Sequence, residues 1–149
     1  MKIEEVIHQS KPFGSNFEKA IVNLIFTSNW LLAKQNAFFS KYEITTKQYN
    51  ILRILRGAQK PISTLEIKNR MLDRNSDVSR IVDRLFKKEL VDKSPCKNDQ
   101  RKVDIVLNKN SALLLKSIDA EIEKWQNEFT SLDKTEASML SDLLDKMRK

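Results

Sequence analysis

The chain has 149 residues, a formal net charge of +7 and a single cysteine. This length suffices for one domain with its own core, and a single cysteine excludes an internal disulfide framework and is typical of a reducing cytosol. The start "MKIEEVIHQSK" lacks the pattern of a signal peptide, and the longest apolar-rich run, residues 20–33, is too short to span a bilayer. We therefore expect a cytoplasmic protein without a membrane partner.

The positive charge is concentrated in the central part of the chain. Residues 45–110 contain 16 Lys and Arg against 8 Asp and Glu, whereas the flanking residues contain 11 against 12. Clustered cations attract phosphates, which release their counterions, so this distribution favours a nucleic acid or another anionic surface as partner. The alternative is a basic face that is only solvated.

Several patterns predict a mainly helical chain. Glycine occurs twice and proline three times, which favours helices and leaves no glycine-rich phosphate loop. A Ser, Thr or Asp placed three residues before a Glu or Gln is the capping-box pattern of a helix start. The pattern occurs at Ser15, Thr45, Ser63 and Asp133.

Apolar residues at helical spacing predict six helices. In chain order these cover residues 16–41, 46–57, 64–71, 76–88, a stretch between 110 and 132, and 134–147. The first helix should direct inward Phe17, Ala20, Ile21, Leu24, Ile25, Leu31, Leu32, Phe38 and Phe39. The second should bury Tyr49, Ile51, Leu52 and Leu55. The fifth carries a seam of Leu115, Ile118, Ile122, Trp125, Phe129 and Leu132, whose period of 3.5 suits packing against another helix, in the same chain or in another.

The helix predicted over 76–88 has a basic outward face, opposite an inward stripe of Val78, Ile81, Val82, Leu85 and Phe86. Arg80 and Arg84 are four residues apart and therefore lie on the same side, while Ser76 and Ser79 permit close approach at its start and Asn75 is a candidate cap. The second helix of a helix-turn-helix presents such residues to base edges in the major groove. An ordinary solvated face is the alternative.

Between residues 91 and 107 the pattern changes to that of a strand. Val103, Ile105 and Leu107 alternate with polar residues, as in a strand with one buried face. We expect a partner strand near 90–93 and a basic tip, "KSPCKNDQRK". A ribbon directly after a helix-turn-helix is the layout of a winged helix, whose tip reaches the minor groove through an arginine.

The residues of this tip suit contact with DNA. Asp99 precedes Arg101 by two residues, and its carboxylate can hold the guanidinium across a tight turn. Lys97 and Lys102 would lie over phosphates. The same tip carries Cys96, close to cations that favour a thiolate, although a lone exposed cysteine is more often incidental.

From Thr45 to Leu107 the sequence resembles the MarR-type winged helix-turn-helix transcriptional regulators. "TTKQYNILRIL" resembles the second helix of that family, and "ISTLEIKNRM" with "NSDVSRIVDRLFKKELVDK" resembles its helix-turn-helix and recognition helix. "NDQRKVDIVLN" resembles its wing signature. The resemblance implies a single domain over 1–149 that is mainly α with a small β-hairpin. It assigns 44–109 to the winged helix-turn-helix, and 1–43 and 110–149 to flanking helices that dimerise.

The resemblance further implies a homodimer that binds pseudo-palindromic double-stranded DNA and, in many members, releases it when a small aromatic ligand binds. The residues implied to contact DNA are Ser63, Arg74, Ser76, Ser79, Arg80, Arg84, Lys97, Asp99, Arg101 and Lys102. Those implied for dimerisation are Ile118, Ile122, Trp125, Phe129, Leu140 and Leu144. Candidates for the ligand crevice are Trp30, Phe38, Tyr42 and Trp125, for which a place in the core or the dimer interface is the alternative.

Three positions depart from the family pattern. Glu89 stands where the family usually has Gly, so the left-handed turn after the recognition helix must form without glycine. Asn108 and Asn110 stand where Thr and Gly are usual, and Asn tolerates a positive φ.

Other classes of function find no support in the sequence. One Cys and one His give no metal-ligand cluster, and no nucleophile–base set is recognisable. We therefore expect no metal, no cofactor and no enzymatic activity. A winged-helix adaptor that binds another protein instead of DNA stays open as the alternative.

Overall fold

The computed structural model describes residues 1–96 and 99–148, and for residues 99–102 and 129 it describes the backbone only. Within these residues the chain forms seven helices and three strands. They are α1 (Ile3–Val6), α2 (Asn16–Ser40), α3 (Thr46–Ala58), β1 (Ile62–Ser63), α4 (Thr64–Arg70), α5 (Val78–Lys87), β2 (Val91–Cys96), β3 (Asp99–Leu107), α6 (Lys109–Phe129) and α7 (Lys134–Met147).

Side-chain caps fix the helix starts where the sequence predicts them. Full capping boxes, in which the cap side chain and the residue three positions later exchange hydrogen bonds with each other's backbone, form at Thr45, Ser63 and Asp133. Ser15 also accepts from the backbone of Glu18, at 3.1 Å, but the Glu18 carboxylate accepts instead from the backbone of Gly14, at 2.7 Å. The predicted starts of α2, α3, α4 and α7 are therefore confirmed.

The strands form one antiparallel sheet in the order β1-β3-β2. Ile62 of β1 lies opposite Ile105, and Val91 of β2 lies opposite Leu107. The hairpin is confirmed, but it is longer than predicted, because β2 continues through the expected tip to Cys96. β1 was not predicted, since two residues are too few to show an alternating pattern.

Residues 1–111 form one compact unit and residues 112–149 form a second. The core of the first unit contains Ile51 and Leu52 of α3, Ile67 of α4, Leu85 of α5 and Ile105 of β3, all fully buried. The predicted inner face of α3 is confirmed, since Tyr49 and Leu55 are buried as well. This core therefore holds the helix-turn-helix and the wing together.

The predicted inner side of α2 is mostly uncovered in the single chain. Phe38 and Phe39 are buried, but Phe17 is 83% exposed, and Ile21, Leu24, Ile25 and Leu32 are also exposed. Within the single chain, the predicted inner side is therefore buried only at Phe38 and Phe39. Periodicity identifies an apolar face, but it does not identify what covers that face. Among the described residues, no helix is both long and apolar enough to cross a membrane.

Candidate nucleic-acid interface

The turn between α4 and α5 is held to α3 by polar contacts. Lys47 of α3 forms an ion pair of 2.7 Å with Asp73, and Asn50 accepts from the backbone of Leu72 at 3.0 Å. Asp73 also accepts from the Ser76 hydroxyl at 3.0 Å. The hydrogen bond from Lys47, followed by those within the turn, lowers the pKa of the Asp73 carboxyl below its ordinary value. The turn is thus held to α3 by two of these contacts and to Ser76, just before α5, by the third.

α5 has a buried apolar face and an exposed polar face. Its start is capped by Asp77, which accepts from the backbone of Arg80 at 3.1 Å, so the helix begins two residues later than predicted and Asn75 is not the cap. Buried side chains are Val78, Val82 and Leu85. Exposed side chains are Ser79, Arg80, Asp83, Arg84 and Lys87, and this outward face is confirmed. Phe86 is the exception among the predicted inward residues, since it is exposed and lies under Lys93, whose Nζ is 5.1 Å from its ring centroid.

The wing is tied to α5 by an ion pair. Lys93 of β2 donates to Asp83 of α5. This hydrogen bond, together with the charge of Lys93, lowers the pKa of the Asp83 carboxyl. The helix and the first strand of the wing are therefore linked directly, in addition to the chain that connects them.

Two clefts flank the start of α4. The first, of ≈ 390 Å³, lies between α4, α5 and the wing, and its lining includes Ser63, Ser79, Asp83, Lys93 and Val103. The second, of ≈ 420 Å³, lies between α4 and the start of α5, and its lining includes Lys68, Asn75, Ser76 and Asp77. Thr64, Leu65 and Ser79 line both. Leu65 is 65% exposed.

Thr64, Leu65, Lys68 and Asn75 were not among the predicted contact residues. The signal that identifies the first three is the outward face of α4, opposite the fully buried Ile67. This short face continues the exposed face of α5. Asn75 lies in the turn between α4 and α5.

Among the predicted contact residues, Ser76 is 6% exposed, and its hydroxyl donates to Asp73, so it shapes the turn. Its contact with DNA stays a prediction. Ser63 is half-buried as the cap of α4, whereas Arg74, Ser79, Arg80 and Arg84 are exposed. Lys97 lies outside the described residues, and the side chains of Asp99, Arg101 and Lys102 lie outside the described part of β3. The predicted contact between Asp99 and Arg101 stays a prediction.

The aromatic residues suggested for a ligand crevice do not line either cleft. Phe38 is buried, with its ring centroid 5.1 Å from that of Phe39 and 5.6 Å from that of Tyr42. This is the core position stated as its alternative, and its role at a ligand crevice stays a prediction. Trp30 is partly exposed, with the Nζ of Lys34 5.9 Å from its ring centroid. Trp125 is half-buried.

The residues suggested for dimerisation differ in exposure. Ile118 is fully buried within the single chain, so it has no surface left for a partner and that assignment is corrected. Leu140 is exposed, and Ile122, Trp125 and Leu144 are half-buried. The side chain of Phe129 lies outside the part of the chain that the structure describes.

The left-handed turn expected after the recognition helix is present without glycine. Glu89 has a φ of 56°, and its backbone N–H donates to the carbonyl of Phe86 at 2.9 Å. The N–H of Leu90 donates to the carbonyl of Leu85 at 3.0 Å. These two bonds form a Schellman motif, which satisfies the last carbonyls of α5.

No group of three His, Cys, Asp or Glu within the described residues is arranged to hold a metal ion. Cys96 is a free, half-buried cysteine at the end of β2.

A helix-turn-helix with an exposed basic face on its second helix, followed by a two-stranded wing, defines a winged helix-turn-helix protein. Residues 44–103 match the model of the MarR family. The chain is therefore similar to this family over its winged helix-turn-helix, as its sequence indicates.

Three known proteins are similar to the chain over most of its length. The HTH-type transcriptional regulator PecS of Dickeya dadantii (strain 3937) is 29% identical over 114 residues, which cover 74% of this chain and 69% of PecS. A mutant MarR from E. coli in complex with operator DNA is 27% identical, with a TM-score of 0.75, over 90% of this chain and 99% of that one. BpsR of Bordetella bronchiseptica, whose DNA binding is regulated by 6-hydroxynicotinic acid, shares the fold at 22% identity, with a TM-score of 0.78, over 93% of this chain and 99% of BpsR.

Proposed function

We propose that this chain is a homodimeric transcriptional repressor, which binds pseudo-palindromic double-stranded DNA in a sequence-specific manner and is released by a small ligand. The observation that carries the proposal is the outward face of α5. Ser79, Arg80 and Arg84 are exposed there, while Val82 and Leu85 anchor the opposite face in the core. A rigid helix with exposed arginines suits the major groove, where Arg pairs with guanine through two hydrogen bonds.

The charge distribution supports the same proposal. The central residues 45–110 carry all of the basic excess, and α4, α5 and the wing all lie within them. Arg74 and Lys68 are exposed beside α5 and are candidates for phosphate contacts. Cations in such positions strengthen binding to any duplex and give the binding its salt dependence.

The wing extends the proposed contact to the flanking minor groove. β2 and β3 form a ribbon that the ion pair between Asp83 and Lys93 ties to α5. We assign Arg101 to the minor groove, with Asp99 orienting it and Lys97 and Lys102 over phosphates. An arginine gains most where the groove is narrow and its potential most negative.

A second copy of the chain is the proposed cover for the exposed apolar faces of α2 and α7. Phe17 and Ile25 of α2, and Met139 and Leu143 of α7, are exposed in the single chain. Burying a side chain of this size stabilises an assembly by roughly 1.5–3 kcal/mol, and exposed apolar faces of this extent mark interaction surfaces. Ile122, Trp125, Leu140 and Leu144 are the remaining candidates for this interface, with Phe129.

Release by a small aromatic ligand is supported by the family and by the regulation of BpsR by 6-hydroxynicotinic acid. Trp30, Tyr42 and Trp125 are the aromatic residues that we assign to this ligand. A titration of the protein–DNA complex with a panel of aromatic acids tests the assignment, because a ligand must favour the DNA-free state in order to release DNA. If no acid in the panel changes the affinity for DNA, this part of the proposal is overturned.

Selection of bound duplexes from a random library, followed by affinity measurements across a salt series, tests DNA binding itself. We expect two half-sites related by two-fold symmetry about one helical turn apart, and an affinity that falls by ~0.9 log unit per phosphate contact for each log unit of salt. If no sequence is enriched and no duplex is bound at low salt, DNA binding is overturned in favour of a protein-binding adaptor.

A further inference from the structure

The C-terminal end of α5 is fastened at two places to segments that adjoin other helices. Lys88 donates from its Nζ to the backbone oxygen of Glu43 at 2.6 Å, and Glu43 lies between α2 and α3. The backbone oxygen of Glu89 accepts from the side-chain amide of Asn108 at 2.9 Å and from that of Asn110 at 3.1 Å. We name these five residues the junction. It lies wholly within the unit formed by residues 1–111.

The two glutamates of the junction close their helices in the same way. Glu43 and Glu89 each have a φ of 56°, and each donates its N–H to a carbonyl three residues earlier, at 3.0 and 2.9 Å. Each is followed by a residue whose N–H reaches back five residues, from Ile44 at 3.3 Å and from Leu90 at 3.0 Å. A non-glycine residue persists in this conformation only where its surroundings determine it. Lys88 links the two turns, so the ends of α2 and α5 are held relative to one another.

The two asparagines connect the end of α5 to the start of α6. Through its side-chain oxygen Asn108 accepts from the backbone of Ser111 at 3.1 Å, which caps α6. Through its nitrogen it donates to Glu89. One side chain therefore fixes the first turn of α6 and, at the same time, the last turn of α5.

Glu89, Asn108 and Asn110 meet at one carbonyl, the backbone oxygen of Glu89. Neither asparagine has a positive φ, so backbone conformation does not require the amide at either position. Instead, both side-chain amides donate a hydrogen bond to the backbone oxygen of Glu89.

We propose that Asn108 and Asn110 are positioning residues that set the angle between α5 and the first turn of α6, and thereby limit the half-site spacings that the dimer accepts. This inference rests on the proposed function. In a two-fold dimer, the separation and direction of the two recognition helices determine the spacing of the half-sites. One added base pair rotates a half-site by about 34° and moves it by about 3.4 Å. A recognition helix whose orientation is fixed cannot move with the half-site.

The test uses the double variant Asn108→Ser with Asn110→Ala. Serine keeps a cap for α6 but lacks the amide, and neither change alters the charge. Asn127→Ala, an equally small change at an exposed position of the same helix, is the matched control. Affinities are measured for the selected duplex and for duplexes with one base pair added or removed between the half-sites.

We expect the wild type and the control to lose about tenfold or more in affinity when the spacing changes. The double variant should lose less than about threefold. An equal loss in the double variant and the wild type overturns the proposal, and so does a weakening of the double variant that is uniform across the three duplexes.

Hydrogen exchange tests the junction in the free protein, independently of DNA binding. The amide of Leu90 should exchange about tenfold faster in the double variant than in the wild type, because the turn at Glu89 loses both amide donors. If the exchange rate of the Leu90 amide is the same in the two proteins, the asparagines do not restrain α5, and the proposed role of the junction is overturned. If the wild type binds no duplex, the proposed function fails together with the spacing role, and the exchange result still decides whether the junction holds α5.

Discussion

Glu89, at the end of α5, and Glu43, at the end of α2, show how much a single residue's conformation contributes to this fold. A Cβ atom in the left-handed region costs roughly 1 kcal/mol relative to glycine, yet Glu89 adopts it with a φ of 56°. The expectation of this turn came from a family pattern, because a glutamate by itself carries no such signal. The cost is offset by the helix-closing bonds of the Schellman motif.

Glu89→Gly should raise the free energy of unfolding by roughly 1 kcal/mol, since the strain is removed while the backbone carbonyl remains. Urea unfolding measures the change. Glu89→Ala is the control, because it also removes the carboxylate but keeps the Cβ atom and should bring no such gain. Equal stability of the two variants would contradict this explanation.

Arg80 and Lys87 differ in the contacts that we expect of them. Arg80→Ala should cost about 1–3 kcal/mol of binding free energy on the selected DNA and relax the preference at one base position. Lys87→Ala should weaken binding to all duplexes alike and reduce the salt slope by ~1. Fluorescence anisotropy on matched and mismatched duplexes distinguishes the two. A uniform loss for Arg80→Ala would reassign that residue to a phosphate contact.

At the scale of elements, the sequence predicts helices well wherever both a cap and an apolar stripe are present. The starts of α2, α3, α4 and α7 agree with the capping boxes. α5 begins later than predicted because Asn75, Ser76 and Asp77 are consecutive and each can act as a cap. The structure shows that Asp77 is the cap. The short elements α1 and β1 were missed, since four and two residues are too few to show a period.

The exposed faces of the elements were predicted less completely. α5 agrees with its pattern except at Phe86, because Lys93 of the wing lies over that ring, a contact between residues of different elements. Ser76 faces inward for a similar reason, since Asp73 accepts its hydroxyl. Contacts of this kind depend on the packing of one element on another, which periodicity within a single element does not encode.

The turn of the helix-turn-helix should depend on pH through Asp73. The pKa of the Asp73 carboxyl lies below its ordinary value, chiefly because of the hydrogen bond from Lys47. The charged carboxylate therefore stabilises the folded state at any pH above the pKa that Asp73 has in the unfolded chain. This stabilisation is lost as the pH falls through the lower pKa of the folded state. Asp73→Asn should therefore be less stable than the wild type at pH 7, and the difference should shrink as the pH falls below about 4.

Urea midpoints at pH 7, 5 and 3 measure this difference. Asp142→Asn, an exposed change in α7, serves as the control and should leave the unfolding free energy within about 0.5 kcal/mol of the wild type. A gap between Asp73→Asn and the wild type that stays constant over the three pH values would contradict the role of the carboxylate charge.

At the scale of the whole molecule, the charged and the apolar surfaces are separated along the sequence. The basic excess lies between residues 45 and 110, and the long exposed apolar faces lie in α2 and α7, on either side of it. The sequence predicts the charge distribution from counts of residues alone. It does not predict that the single chain leaves those faces open, because covering them requires either other parts of the chain or a second copy.

Leu143→Glu should abolish assembly if α7 contributes to the interface between copies, because a charge would have to be buried without a partner. Leu143 is 61% exposed in the single chain, so the variant should fold. Leu72→Glu, at an exposed leucine in the turn between α4 and α5, is the control. Sedimentation velocity should give the mass of one chain for Leu143→Glu and of two chains for the control. A mass of two chains for both variants would exclude this position of α7 from the interface.

The order β1-β3-β2 has a consequence for the behaviour of the protein at high concentration. β3 is paired on both sides where β1 meets it, which leaves β2 as the longer edge strand. An open edge is a template for pairing with other chains, and natural edges resist this with lysine, proline and irregular register. β2 carries Lys93 and Pro95 and has a register shift between Pro95 and Cys96. The edge strand β2 thus belongs to the same ribbon that we assign to DNA contact, so substitutions in the wing are constrained by solubility as well as by recognition.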